Sequence, residues 1–398
     1  MQRKFWGVLT GVRPSKIVHN YLDQRISPGK IRLLLQENYG LMPEKIELLL
    51  QICLLQRKFI PLPGERGTIG VYIGIPFCPS RCYYCSFPSY RINNYAKQVT
   101  PFLNSLFKEI EAMGNLIQKL DWRVETLYLG GGTPTVLSDQ DLDNLFIHLK
   151  KYFDFSAIRE ITVEAGRPET INETILSCLI KHGVNRISIN PQTMQDKTLD
   201  YIGRKHTVKQ IIEAVKLVRK YTIPILNMDL IMGLPGEGVK EAEDSLNKVI
   251  DLNPENITLH TLALKRATYW KEQGKNPNLP GDETVQEMVY LSQSKLKEAG
   301  YIPYYLYRQK NILGGLENTG YCLEGKECLY NIQMMEDRNT ILGLGVGAMT
   351  KLVKPSNFTV CRKPNPKDPF NYEERLAELI KNKTEFLLNG SECINVDK

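Results

Sequence analysis

Three features that often assign a protein to a class are missing from this sequence. No stretch approaches the ~18 consecutive apolar residues that a membrane-spanning helix needs. The first ten residues, MQRKFWGVLT, contain neither the apolar core nor the cleavage site of a secretory signal peptide. The 51 basic and 44 acidic residues are interspersed, so the net charge of +7 forms no basic block for RNA binding. We therefore expect a cytoplasmic protein without a membrane span or a nucleic-acid partner.

The cysteines lack the pattern of a disulfide framework, because there are nine of them scattered over 398 residues. Three of them, Cys78, Cys82 and Cys85, form C-x3-C-x2-C directly after the apolar run VYIGI. No second C-x2-C or H-x3-H lies nearby, whereas a structural zinc site normally closes with four ligands. Three thiolates on one loop suit an iron–sulfur cluster in which one iron keeps an open position. A zinc site and buried structural cysteines are the alternatives.

A repeated alternation of strand and helix patterns begins at residue 70. The predicted strands are 70–75, 125–129, 160–164, 185–190, 225–230 and 257–262, and the predicted helices between them are 95–118, 139–152, 170–182, 208–220 and 240–251. Six such units in series imply parallel strands joined by right-handed crossovers. The fold class is therefore α/β, either a doubly wound sheet or a barrel, open or closed.

Three regions follow from the same patterns. Residues 1–65 predict an N-terminal helical accessory segment, with a turn at Tyr39 and Gly40. Residues 66–290 form the predicted core, and 291–398 a C-terminal region whose strands and glycine-rich turn cover the open side of a barrel. One amphipathic helix is predicted from Tyr372 to Leu388. The abrupt start of the chain is what we expect either for a piece of a longer protein or for a late start codon.

Polar residues and glycines occur just after the predicted strands. The cysteine loop follows the first strand, the sequence GGGTP (130–134) follows the second, and Glu164 ends the third. Asn190 and Gln192 follow the fourth strand, and Asp229 ends the fifth. Each has an ordinary explanation as a turn or a helix cap. Because the carboxyl ends of parallel strands meet at one rim, we interpret them together as one site.

On these residues the sequence resembles the radical S-adenosylmethionine (SAM) superfamily. The resemblance rests on C-x3-C-x2-C with an aromatic residue before the last cysteine, followed by GGGTP. The segments IPFC, ISINPQTM, YIGRKHT and MDLIMGLPGE occur in the order found in oxygen-independent coproporphyrinogen III oxidases. GVRPSKIVHNYLDQ and YIPYYLYRQKNILGGLENTGY resemble the coproporphyrinogen dehydrogenases of Gram-positive bacteria. The similarity covers residues 5–350 and implies a partial (β/α)6 barrel.

The resemblance implies specific roles for the rim residues. Cys78, Cys82 and Cys85 would ligate a 4Fe–4S cluster whose open iron binds SAM. Contacts to the cluster or to SAM are implied for Tyr72, Tyr84, Gly131, Glu164, Gln192, Arg204 and Asp229, with Tyr72 and Glu164 as the catalytic candidates. Glu164 and Arg204 suit the amino-acid end of SAM, and Asp229 suits its ribose. Contacts to a second SAM are implied for Gly132, Thr133 and Ala263. The structural alternatives are strand core for Tyr72, a helix cap for Gln192 and solvent for Arg204.

The family's reaction is the oxidative decarboxylation of two propionates of coproporphyrinogen III to vinyl groups, which gives protoporphyrinogen IX in heme biosynthesis. The resemblance implies a 5′-deoxyadenosyl radical that removes a β-hydrogen, a flavodoxin- or ferredoxin-type electron donor, and a monomer. Anionic propionates call for cationic partners. The candidates are Lys265, Arg266, Arg308, Lys310 and Arg338, each of which also fits a solvated surface.

Two positions depart from the oxidase pattern. Gly74 stands where the oxidases usually carry a histidine, and Phe87 stands where they carry a fourth nearby cysteine. An aromatic residue at the latter place is also typical of the related heme chaperones, which bind SAM and a cluster without being oxidases. The segment YLYRQKN, from Tyr305 to Asn311, favours the oxidase, because the chaperones carry a different segment there.

Overall fold

The computed structural model of the protein describes residues 5–265, 268–274 and 276–389. The strands are β1 (Ile69–Ile75), β2 (Phe77–Cys78), β3 (Tyr90–Arg91), β4 (Val124–Gly131), β5 (Glu160–Glu164), β6 (Arg186–Ser188), β7 (Ile225–Met232), β8 (Asn256–Thr261), β9 (Ile302–Tyr307), β10 (Asn318–Cys322), β11 (Ile341–Gly345), β12 (Met349–Val353) and β13 (Val360–Pro364). The helices are α1 (Ser15–Asp23), α2 (Pro28–Tyr39), α3 (Pro43–Gln56), α4 (Ile92–Lys119), α5 (Asp139–Tyr152), α6 (Glu173–Lys181), α7 (Asp196–Tyr201), α8 (Val208–Lys220), α9 (Val239–Asp251), α10 (Tyr269–Glu272), α11 (Asp282–Glu298), α12 (Leu329–Glu336), α13 (Pro369–Glu374) and α14 (Leu376–Asn389).

The core is a run of six parallel strands in the order β1-β4-β5-β6-β7-β8. These are the six predicted strands, and their bounds differ from the predicted ones by no more than two residues. The chain adds each strand next to the previous one, as in a barrel, whereas a doubly wound sheet reverses its order. The eleven-stranded sheet ends at β13 and β9, so it is open. The α/β prediction is confirmed, with no closed barrel.

Local sequence explains these elements. Six of the seven residues of β1, IGVYIGI, are buried, as expected for a parallel strand that is covered on both faces. Helix α8 buries Ile211, Val215 and Val218 at helical spacing, and Thr207 caps its first turn. Among the helices that the structure describes, none has the length and apolarity needed to cross a bilayer.

The C-terminal region extends the core sheet at both ends. Strand β11 pairs in parallel with β1, while β10 pairs antiparallel with β8 and then with β9. We had expected these strands to cover the open side of a barrel, and they lengthen the sheet instead. The single predicted helix 372–388 is wrong, because Arg375 (φ −97°, ψ 12°) leaves the helical conformation between α13 and α14. The predicted domain bounds stay predictions.

The N-terminal segment forms three helices, with Gly40 in the left-handed conformation (φ 65°) at the predicted turn. These helices pack against the β9 side of the sheet. The Lys45 Nζ atom lies 2.6 Å from Glu317 Oε1, and the indole of Trp6 donates to Glu317 Oε2 at 3.0 Å. All three side chains are buried, so the segment is an integral part of the core.

Asp337 joins the N-terminal segment to the C-terminal strands. Its fully buried carboxylate lies 2.9 Å from Arg13, 2.7 Å from Lys16, 2.9 Å from Lys351 and 3.2 Å from Arg362. Burial opposes ionisation, but the nearby cations, Lys351 first among them, hold the pKa of Asp337 well below its usual range. The carboxylate therefore offsets the buried charge of Lys351 and three partly exposed positive charges at once.

Replacing Asp337 by asparagine should destabilise the fold by about 3–5 kcal/mol, because it leaves the buried Lys351 ammonium without its counter-charge. Chemical denaturation of both proteins measures the free energy of unfolding. The exposed Asp200 is a matched control, and its replacement by asparagine should change stability by less than about 0.5 kcal/mol. Equal stability losses in the two variants would contradict the role of Asp337.

Candidate active site

A cavity of about 390 Å³ lies at the carboxyl ends of the parallel strands. Each of the six core strands contributes to its lining, either directly or through the loop that follows it. The predicted site residues in this lining are Cys78, Cys82, Tyr84, Cys85, Gly131, Gly132, Thr133, Glu164, Gln192, Arg204, Asp229, Ala263 and Lys265. The structure thus brings together nearly all of the residues that the strand-end argument selected, while their individual roles stay predictions.

Tyr72 lies behind Tyr128, whose ring forms part of the cavity wall. Its ring stacks on Tyr128, with centroids 6.0 Å apart, and on Tyr330, with centroids 6.1 Å apart. Tyr128 lines the cavity and Tyr72 does not. Burial, followed by the charge of Glu164, raises the pKa of Tyr72. The structure therefore places Tyr72 as support for Tyr128, in agreement with the strand-core alternative.

Most of the candidate propionate partners lie elsewhere. Arg308 donates from Nη1 to the carbonyl of Leu9 at 2.6 Å, and Arg338 pairs with Asp23. Lys310 is exposed and lies outside the cavity lining, and Arg266 falls outside the described residues. Arg308 and Arg338 are bound to the N-terminal segment, which explains their burial without a ligand. Of the five candidates, the structure brings Lys265 to the cavity.

The cysteine loop is held to its neighbours by backbone contacts. After β1, the two-residue strands β2 and β3 pair and close the loop that carries the thiols. Arg167 donates from Nη2 to the carbonyl of Ser80 at 2.7 Å and to its hydroxyl at 2.9 Å. The Tyr83 amide donates to the carbonyl of Ile202 at 2.9 Å. These bonds tie the loop to the segments that follow β5 and α7.

The number of thiols suits a cluster better than a structural zinc ion. Cys78, Cys82 and Cys85 line one cavity. A structural zinc site normally closes with four ligands, whereas an iron–sulfur cluster can be held by three thiolates while one iron keeps an open position. A zinc site stays the alternative.

Burial makes these thiols dependent on a positive partner. It raises the pKa of Cys78, and it raises the pKa of Cys85 to about 12, with the Cys82 thiol as a further cause. Iron would supply the charge that stabilises the thiolates.

The glycine loop after β4 packs directly on the cysteine loop. The Gly132 amide donates to the carbonyl of Ile75 at 2.7 Å. A Cβ at Gly132 would lie 2.4 Å from the Phe77 oxygen and 3.0 Å from the Cys78 sulfur, and Gly131 has φ +109°. Thr133 donates from Oγ1 to the Cys78 sulfur at 3.5 Å. Only glycine fits between the two backbones here.

Two carboxylates on the rim have different protonation behaviour. Burial, and then the charge of Asp229, raises the pKa of Glu164 to about 7, although Tyr128 donates a 2.6 Å hydrogen bond to it. Burial also opposes ionisation of Asp229. Its pKa is nevertheless lowered by His260, with Nε2 3.5 Å from Oδ2, and by Asn227, which donates at 2.8 Å. Near neutral pH, Asp229 is ionised and Glu164 is partly protonated.

Several buried polar atoms at the cavity are available to a ligand. Arg204 is 4% exposed and donates to the Tyr84 hydroxyl at 3.0 Å and to the Asn190 carbonyl at 2.7 Å, so it does not face solvent. Gln192 Oε1 and Arg167 Nη1 are buried and make no hydrogen bond within the described part of the chain. A polar ligand would satisfy them, so the residues present fit a bound amino acid and nucleoside.

Sequence reasoning missed Arg167, His260 and Tyr307, which also line the cavity. His260 Nδ1 lies 3.4 Å from the Tyr307 hydroxyl, and Gln309 donates to the same hydroxyl at 3.2 Å. Arg167 follows Glu164 by three residues, and His260 lies within the last predicted strand. A search of every strand end for titratable groups would have found both.

The two departures from the oxidase pattern have structural explanations. A Cβ at Gly74 would lie 2.4 Å from the carbonyl oxygen of Val346, because β11 runs beside β1. A histidine side chain does not fit there without a backbone shift. Phe87 is 62% exposed at the cavity, with the Lys265 Nζ atom 6.0 Å from its ring centroid. It presents an apolar face where a fourth thiol would have stood.

Comparison with known proteins agrees with this geometry. The radical SAM superfamily profile matches residues 72–249. The oxygen-independent coproporphyrinogen-III oxidase-like protein HemZ of Bacillus subtilis is 44% identical over 384 residues, which cover 96% of this chain and 77% of HemZ. The heme chaperone HemW of the same organism is 31% identical over 281 residues, 70% of this chain and 69% of HemW. Coproporphyrinogen III oxidase (HemN) from Escherichia coli superposes with a TM-score of 0.63 at 23% identity, over 82% of this chain and 72% of HemN.

The chain therefore belongs to the radical SAM superfamily and, within it, is a relative of the coproporphyrinogen oxidase-like protein HemZ. Membership implies a 4Fe–4S cluster and SAM as cofactors. The three thiols, the glycine loop and the unsatisfied polar atoms of the cavity fit both.

Replacing Cys82 by serine should remove the cluster, because serine does not replace a thiolate ligand of iron. Iron analysis after anaerobic reconstitution should fall from about four iron atoms per chain to less than about one. Cys53, a buried cysteine on α3, is the matched control, and its replacement by serine should leave iron content unchanged. Full iron content in the Cys82 variant would contradict the site.

SAM affinity should fall as the pH is lowered through 7, because Glu164, the predicted partner of the SAM ammonium group, has its pKa raised to about 7. A raised carboxyl pKa means that the binding form is lost on the acid side. Below about pH 7 the dissociation constant should rise roughly tenfold per pH unit. Equilibrium dialysis with reconstituted protein measures it. Glu164→Gln should bind weakly and independently of pH, and a flat wild-type profile would exclude Glu164 as the partner.

Proposed function

We propose that the protein catalyses the SAM-dependent, oxygen-independent oxidative decarboxylation of coproporphyrinogen III propionates, giving protoporphyrinogen IX for heme biosynthesis. The observation that carries the proposal is the composition of the cavity wall. Tyr305, Tyr307 and Gln309, from the YLYRQKN segment, line the same cavity as the cysteine loop. This is the segment that favours the oxidases over the chaperones, and here it faces the reactive end of the site.

The relatives support the same conclusion. The oxidase-like HemZ aligns with 96% of this chain at 44% identity, whereas the chaperone HemW of the same organism aligns with 70% at 31%. In the proposal the electron donor is a low-potential flavodoxin or ferredoxin, and the protein acts as a cytoplasmic monomer.

The proposal assigns a different role to each residue of the cavity. When bound, cluster and SAM together supply a 5′-deoxyadenosyl radical that removes a β-hydrogen from a propionate. Glu164 and Asp229 bind the ammonium and the ribose of SAM. Lys265, whose pKa burial lowers, gains a counter-charge from a propionate. Burial raises the pKa of Tyr307 to about 12, so its phenol stays protonated and donates a hydrogen bond to a second carboxylate.

A heme chaperone is the second candidate, and one observation favours it. Phe87 stands in the place of a fourth cysteine and exposes 62% of its surface at the cavity. Such a ring suits stacking of a planar macrocycle. Heme is planar and fully conjugated, whereas a porphyrinogen is not, so an exposed aromatic face at this position suits the chaperone.

Anaerobic assay of the reconstituted protein with dithionite, SAM and coproporphyrinogen III should yield protoporphyrinogen. Lys265→Met should raise KM for the porphyrinogen about tenfold or more, because a charged hydrogen bond is worth about 1.5–3 kcal/mol, and should leave SAM binding unchanged. Lys209→Met, on the exposed face of α8, is the matched control.

Heme titration of the same preparation separates the two functions. Deoxyadenosine formed without any vinyl product would count against the oxidase. Stoichiometric heme binding that Phe87→Ala weakens, with no turnover, would establish the chaperone instead.

A further inference from the structure

A second group of metal-ligand side chains lies outside the cavity, between α5 and α6. Asp143 belongs to α5, Cys178 belongs to α6, and His182 directly follows α6. Because Cys178 and His182 are four residues apart, their side chains leave the helix on one face. One donor atom from each of the three residues lies within 4.8 Å of the other two. The proposed function uses none of them.

The three donor atoms favour one class of metal ion. A thiolate, an imidazole and a carboxylate are the ligands of zinc and its close neighbours, whereas calcium and magnesium prefer oxygen alone. Three protein ligands leave a fourth tetrahedral position for water. Asp143 and Cys178 line a cavity of about 510 Å³, together with Asp139 and Glu173, so an ion can reach these two donors from solvent.

The side chains are already ordered for this purpose. His182 Nε2 lies 2.6 Å from Asp143 Oδ1, and its ring stacks on Phe146 with centroids 4.9 Å apart and planes at 10°. Cys178 and His182 are 8% and 4% exposed. The packing fixes the direction of both donors, and a preorganised set binds more tightly than a mobile one.

In this structure the ammonium group of Lys181 pairs with Asp143, as a bound metal ion would. Its Nζ lies 2.6 Å from the same Asp143 oxygen, and its side chain is 62% exposed. A partly exposed lysine can turn into solvent at little cost, since surface ion pairs contribute about 0–1 kcal/mol. The ammonium therefore neutralises Asp143 and competes with any ion that enters.

We propose that Asp143, Cys178 and His182 bind one zinc-class divalent cation, with water as the fourth ligand. On binding, the Cys178 S–H bond breaks, a metal–sulfur bond forms and the thiol proton passes to solvent. The proton between His182 Nε2 and Asp143 moves to His182 Nδ1, which frees Nε2 to bind the ion, and no oxidation state changes. Lys181 moves out as the ion enters. The bound ion would join α5 to α6 on the outside of the core sheet.

The test uses the protein with its iron–sulfur cluster in place, titrated anaerobically with zinc against a chromophoric chelator. One zinc per chain should bind while the iron content of the same sample stays constant. Cys178→Ser and His182→Ala should each weaken binding at least about tenfold. His148→Ala, on α5 but stacked on Phe107, is the matched control and should bind as wild type.

Lys181→Ala gives the sharper test, because loss of the competing charge should tighten zinc binding severalfold. A variant that merely destabilised the fold could not produce this gain, and Lys216→Ala, on the exposed face of α8, should leave affinity unchanged. Cobalt(II) in place of zinc should add visible absorption of a tetrahedral site in wild type and lose it in Cys178→Ser. Zinc binding that is equal in wild type, Cys178→Ser and His182→Ala, or that releases iron, would overturn the proposal.

Discussion

The structure depends on the close approach of two backbones, the glycine loop after β4 and the cysteine loop after β1. The Gly132 amide bonds to the Ile75 carbonyl, and there is no room for a Cβ beside the Phe77 oxygen. This contact fixes the thiols of the cysteine loop at the carboxyl ends of the parallel strands, where Glu164 and Asp229 also arrive. A side chain at Gly132 would separate the loops and move the thiols away from both carboxylates.

Buried carboxylates have different partners in the cavity and in the rest of the fold. In the scaffold, the buried carboxylates of Asp337 and Glu317 meet cations directly. In the cavity, Glu164 lies near another acid, and its pKa is raised instead. A carboxylate without a paired cation is free to bind an incoming ammonium, which is the predicted role of Glu164.

The strands and the rim could be predicted from the sequence because their signals are local. Each core strand is a short apolar run, and its functional residue follows within a few positions. The partners of Arg308 could not be predicted, since the carbonyl of Leu9 lies about three hundred residues earlier in the chain. The pairing of β11 with β1 and the break at Arg375 likewise depend on tertiary packing. Lys265 follows a core strand and lines the cavity, whereas Arg308 follows β9 and contacts the N-terminal segment, which no local signal indicates.

The place of β11 beside β1 has a consequence for how the protein is made. The strand that carries the cysteine loop acquires its second neighbour only when residues 341–345 have been synthesised. Until then one edge of β1 is unpaired. Domains with such distant pairings fold late and slowly. The cluster site is therefore completed only after β11 has been synthesised, so iron–sulfur assembly has to act on a chain that already contains this strand.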